Sequence, residues 1–146
     1  MATLLEMFGA QPKRGMVIAD CVTLIDQEVG DKGGISGIAI KTGYKVVKSF
    51  KPGFTAEAVD GFLDEFAKAL QPIVDDARTE SRPISTVFSA NPGRVAEALL
   101  AITDARAQRS RLAAIKATYE RLRGVAKKNV EEAVPRVGRL IEKHAA

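Results

Sequence analysis

Apolar residues recur three and four positions apart along almost the whole chain, the spacing of helices that bury one face. Leu4, Leu5, Met7 and Phe8 predict a helical turn or two that docks on the body before Gly9 and Pro12 break it. From Arg14 to Val29 the rhythm is Ile18, Cys21, Val22, Ile25 and Val29, with Asp20, Thr23 and Asp26 between them. A strand does not fit, because Val17 and Ile18 are adjacent and alternation fails. Residues 30–37 then carry four glycines in eight positions, which predicts a turn that opens a helix from Ile35 or Ser36 to about Phe50.

On that helix Lys45 and Lys48 fall within roughly 40° of Lys41 on a helical wheel. Ile35, Ala39, Ile40, Gly43, Val46, Val47 and Phe50 occupy the opposite arc and are expected to face the core. Lys51-Pro52-Gly53 ends the helix, and Thr55 is the expected N-cap of the next, with Phe54 stapled on Val59. Its stripe is Val59, Phe62, Leu63, Phe66 and Leu70, its outer face Glu57, Asp60 and Asp64, and Pro72 is expected to stop or kink it. The polar, breaker-rich run at about 75–91 predicts a flexible loop.

Asn91-Pro92 marks a helix start, a capping side chain followed by proline at the first helical position. Val95, Leu99 and Ile102 carry the stripe to about Ala107, and Ser110 can cap a further helix bearing Leu112, Ile115, Tyr119, Leu122 and Ala126. Whether residues 94–124 form one helix or two the pattern leaves open. Val130, Val134, Val137, Leu140 and Ile141 continue it, with a bend expected near Ala133 because Pro135 and Gly138 follow. The fold class is therefore all-α, a compact bundle of five to seven helices in a single domain over 1–146, with Phe54, Phe62 and Phe66 as its large core fillers.

Composition narrows the classes. At 146 residues and 46% hydrophobic the chain can build a core without staples, and one Cys with one His can form neither an internal disulfide nor a four-ligand zinc site. No window nears the ~18 apolar residues of a membrane span. Met1 to Ala10 lacks the pattern of a signal peptide, so a cytoplasmic protein is expected. Cys21, among apolar neighbours, fits a small core residue better than a redox centre.

Charge adds an asymmetry. The net charge is +4, yet residues 106–146 hold eleven basic and four acidic residues, a net +7, and residues 1–105 hold −3. Either an anionic partner or docking of one half of the chain on the other accounts for this. The surface suited to an anionic partner is Lys41, Lys45, Lys48 and Lys51, with Lys116, Arg123 and Lys127 further on. Those lysines fit a solvated face, or pairs with Glu57, Asp60 and Asp64, better than membrane contact, since the helix carries few bulky insertion residues.

Gly33, Gly34, Gly37 and Gly43 suit close approach of another helix or copy better than a phosphate cradle. Lys41-Thr42 follows Ile40 where a phosphate loop needs glycine. No catalytic, cofactor or metal constellation emerges: His144 sits where helix ends fray, and the Glu57, Asp60, Asp64 stripe lacks the Glu-x-x-His of helical di-metal sites.

The segments GISGIAIKTGYKVVKSFKPGF (Gly34–Phe54), VAEALLAITDARAQRS (Val95–Ser110) and YERLRGVAKKNVEEAVPRVGRLIEKHA (Tyr119–Ala145), 64 of the 146 residues, resemble a family of small bacterial proteins known only as a domain of unknown function. The resemblance implies a cytoplasmic bacterial helical protein and brings no activity, cofactor or site residue. The residues point first to a non-enzymatic interaction or scaffold protein, a homo-oligomer or one that binds an acidic protein through cationic surfaces. One alternative is a small-molecule or lipid binder with a pocket walled by the Gly34–Phe50 helix. The other is a nonspecific nucleic-acid binder, weakened by Tyr119 being the only aromatic of the basic third.

Overall fold

Four amphipathic stripes meet around one axis. The structure is a computed structural model that describes residues 2–50 and 52–145, with the side chains of Ile35, Ser36, Val47 and Phe50 outside the description. Among these residues there are seven helices and no strand: α1 (Leu4–Phe8), α2 (Lys13–Asp31), α3 (Gly34–Phe50), α4 (Phe54–Thr79), α5 (Ile84–Ala90), α6 (Pro92–Gln108) and α7 (Ala113–Ala145). α2 packs on α4 and α7, α4 on α6, and α6 on α7, while the diagonal pairs α2–α6 and α4–α7 make no close backbone approach. α1 and α5 close one end of this square against α4 and α7, and α3 lies at the margin on α2 and α4.

The closed end holds the deepest residues. Leu4, Val17, Ile73, Val74, Phe88, Val95 and Val134 are fully buried there. The large aromatic fillers are thus Phe8 and Phe88. Phe62 and Phe66 stack on each other half-buried, and Phe54 is exposed. Along α2 the deepest residue is Val17, outside the stripe read from the sequence, whose members are only half-buried.

The polar run at 75–91 is not a loop. α4 continues to Thr79, and α5 places Val87 and Phe88 in the core, because two apolar side chains anchored on α7 outweigh the low helix propensity around them. Pro72 does not stop α4: it and Lys68, whose carbonyl it leaves unpaired, are both exposed, so water can satisfy that carbonyl. α7 likewise runs through Pro135.

Several caps also differ from expectation. α4 begins two residues early, after Gly53 at φ 80°, and the Thr55 hydroxyl is engaged by Tyr44 at 3.1 Å. Pro92 opens α6, yet the Asn91 side chain donates back to the Val87 carbonyl instead of capping. Residues 94–124 form two helices, with Ser110 Oγ accepting from the Leu112 N–H in the link. The glycine-rich segment contributes only a two-residue turn, Lys32-Gly33, since α2 extends through Asp31.

Of the close-approach glycines read from the sequence, Gly37 is one: a Cβ there would stand 2.7 Å from the carbonyl carbon and 3.3 Å from the Cβ of Lys32, at the end of α2, whereas Gly33, Gly34 and Gly43 have open space. Gly138 is another and lies outside that set: a Cβ there would stand 2.9 Å from Phe88 Cβ and 3.1 Å from Ser85 Cα.

His144 does not fray. It is 4% exposed, its Nε2 lies 2.6 Å from Asp20 Oδ2, and its ring meets Phe8 edge-on. Lys143 reaches the same carboxylate at 2.9 Å, and Asp20 is held below its ordinary pKa by Lys143 first and His144 second.

Because the diagonals stay apart, the axis is not filled: an apolar pocket of about 190 Å3, partly open to solvent, lies between α1, α2, α4, α6 and α7. α3 contributes nothing to its wall, so the pocket expected beside the Gly34–Phe50 helix lies elsewhere.

Candidate docking face on α3 and α7

α3 is turned away from the orientation its pattern predicts. Gly37 is buried and Ile40 and Tyr44 half-buried, which puts those residues against the body. Tyr44 fixes the rotation, since its hydroxyl donates to Asp26 at 2.7 Å and meets Thr55. Of the arc expected in the core, Ile40 faces the body, whereas Ala39, Gly43 and Val46 (58% exposed) face solvent; Ile38, outside that arc, is 66% exposed beside them.

Lys41 and Lys45 border that arc, exposed and without an ion pair among the described residues. Lys48 turns back, 3.3 Å from Asp26 and 5.2 Å from the Tyr44 ring centroid. Lys51 lies outside the described residues. The expected pairs with α4 do not form through Asp60 and Asp64, because Arg14 of α2 takes both at 2.8 and 2.6 Å.

The second wall is α7. Its C-terminal half is covered by α2 and α5, but α7 is about 50 Å long and α2 about 28 Å. Past the end of α2, the flank of α7 that α2 would cover stands open, and there Ile115, Leu122 and Val125 are about half exposed, as is Leu112 just before the helix. Lys116 is half-buried without an ion pair; Arg121 and Lys128, exposed and also unpaired, border this ledge and escaped the sequence reading.

Arg123 and Lys127 do not belong to an outward surface. Arg123 binds Asp104 at 2.8 Å and Glu97 at 3.0 Å, and Lys127 binds Glu97 at 2.9 Å, so both hold α7 on α6. Arg123 holds Asp104 below its ordinary pKa, assisted by Tyr119, and holds Glu97 down together with Lys127. Arg106 with Glu65, Arg136 with Glu28 and Asp31, and Lys143 with Asp20 continue the series. Much of the basic third is thus matched by acids of residues 1–105, the docking of one half of the chain on the other.

A cleft of about 540 Å3 at the glycine-rich turn is bordered by Gly37 and Ile40, on the body-facing side of α3, and by Val125 and Lys128 of α7; Ile38, Lys41, Lys45 and Val46 do not line it. Lys32 in it binds Glu132 at 2.6 Å, and Arg136 binds Glu28 and Asp31, so Lys128 is its one cation without an ion pair. The turn is no ready phosphate cradle, since its cations already face carboxylates.

A model of the family of unknown function DUF6918 matches residues 4–145. The chain belongs to that family. No curated protein and no solved structure matches it. Among the described residues of this DUF6918 member, no helix is long and apolar enough to cross a membrane.

Proposed function

We propose that this protein is a non-enzymatic interaction module whose α3–α7 face docks an acidic, amphipathic segment of a partner protein. The observation that carries this reading is the exposed strip of α3, where Ile38 and Val46 stand in water beside Lys41 and Lys45, which make no ion pair among the described residues. The exposed area supports it. A compact monomer of 15.7 kDa exposes about 7,300 Å2. This chain exposes 8590 Å2, and the excess exceeds the ~800 Å2 that one partner contributes to a standard interface.

Charge and apolar surface together argue for a protein ligand. Nucleic acid would use the cations and leave Leu122 and Val125 idle, and both tyrosines have their hydroxyls tied inward. A second copy would bring the same unpaired cations to the same face. The lone His144 is buried against Asp20 and Phe8, and burial pushes the Cys21 thiol up to about 11.

The test is titration with a synthetic acidic amphipathic helix, in parallel with duplex DNA and anionic vesicles, over a salt series. Expected is binding of the peptide that weakens about tenfold or more in Lys41→Glu/Lys45→Glu, and also in Leu122→Ser. Tighter binding to DNA or vesicles, or peptide binding indifferent to Leu122→Ser, would overturn the reading.

A further inference from the structure

The axial cavity is a separate feature from the docking face. Fifteen side chains from five helices form its wall, all of them apolar, with the Cys21 thiol as the one hydrogen-bonding group. Two of its walls each carry one small residue among larger ones: Ala67, 4% exposed, on α4, and Cys21, half-buried, on α2. A leucine at either place would fill the space, so the hollow follows from residue choice as well as from the separated diagonals.

The neighbouring elements close the cavity to charge. Arg14 is occupied by Asp60 and Asp64, and Asp20 by Lys143 and His144, so the ion pairs nearest the wall residues Val17 and Cys21 are already complete. A carboxylate or ammonium placed inside would find no partner. An enclosed apolar core cavity of about 150 Å3 can take up benzene; this pocket, partly open to solvent, measures about 190 Å3 and offers the same kind of apolar wall.

We propose that the axial cavity is a binding site for an uncharged apolar small molecule, a single ring or a short hydrocarbon chain. Binding there orders nothing new, because the wall is already formed by α1, α2, α4, α6 and α7. The occupant supplies the missing contacts along the bundle axis and holds α2 against α4 and α7. Cys21 serves as wall and reporter: its thiol, suppressed by burial, is less accessible still when the site is filled.

The probe is benzene, added to the full-length protein. Saturating benzene should raise the melting temperature by about 3–6 °C and slow alkylation of Cys21 severalfold. Ala67→Leu should melt higher than the wild type without ligand and show no benzene shift, and Cys21→Leu, from the adjacent wall on α2, should do the same if Ala67→Leu does not fold. A third measurement needs no variant: benzene should move the methyl resonances of Leu63, Leu70 and Leu140 and leave those of Leu112 and Leu122 in place. Absence of any shift in the wild type, or movement confined to the exposed leucines, would overturn the proposal.

Discussion

The two halves of α7 carry the same kind of amphipathic pattern and meet opposite fates. In the C-terminal half Val134, Gly138, Ile141 and His144 are buried beneath α2, α5 and α1. In the N-terminal half Ile115, Leu122 and Val125 stand about half in water, because α2 ends at Asp31 and the chain turns away into α3. An apolar stripe therefore states that a helix can be covered. Whether it is covered depends on the lengths of its neighbours.

The sharpest way to break this contrast is truncation on both sides of it. Phe88→Ala removes a fully buried ring wedged beside Gly138, and an expected loss of about 3–5 kcal/mol would appear as a lower denaturant midpoint. Leu122→Ala in the open half should cost less than about 1 kcal/mol. Equal losses would mean that the N-terminal half is covered after all.

His144→Ala comes next. It strips a hydrogen-bonded ring from Asp20 and an edge contact from Phe8, with an expected cost of about 1–3 kcal/mol. Were the end of α7 frayed, the same substitution would leave the melting temperature unchanged.

A glycine pair tests the same helix by sign. Gly124→Ala, with nothing within 4 Å, should stabilise by about 0.5–1 kcal/mol through helix propensity. Gly138→Ala should destabilise, because its methyl would press on Phe88 and on the Ser85 backbone.

The smallest effect is the acid limb of stability. Asp20, Asp26 and Asp104 are held below their ordinary value of 3.8 by Lys143, Tyr44 and Arg123 respectively. A lowered folded pKa gives stability that is complete above the ordinary value and is lost as pH falls through the folded one. Melting temperature should therefore be flat from pH 7 to about 5 and drop below about 4, less steeply in Asp104→Asn.

Much of the fold was legible because helical periodicity is local. The all-α class, the starts of α1, α2, α3 and α6, and the break after Ser110 all follow from spacing, glycine and proline. The misreadings share one cause. Residues 75–91 look like a loop until Phe88 is seen inserted beside Gly138, and Thr55 looks like a cap until Tyr44 arrives from α3. In each case a partner remote in sequence outweighed a local preference worth less than about 1 kcal/mol. The docking face was half legible: Lys41 and Lys45 were found, whereas Arg123 and Lys127 turned out to be internal ties and Arg121 and Lys128 the outward cations.

By itself the sequence determined the all-α class, most of the helical segments with the 75–91 run excepted, and that the basic last third would meet acid somewhere. Those properties rest on residue spacing of a few positions and on net charge, both present in the unfolded chain. Only the tertiary structure decided which apolar faces are covered, which cations are spent on Glu97, Asp104 and Glu28, and that the axis stays hollow. Those outcomes depend on how long each helix runs beside its neighbours and how far apart the diagonals stand, quantities that exist only once the helices are packed.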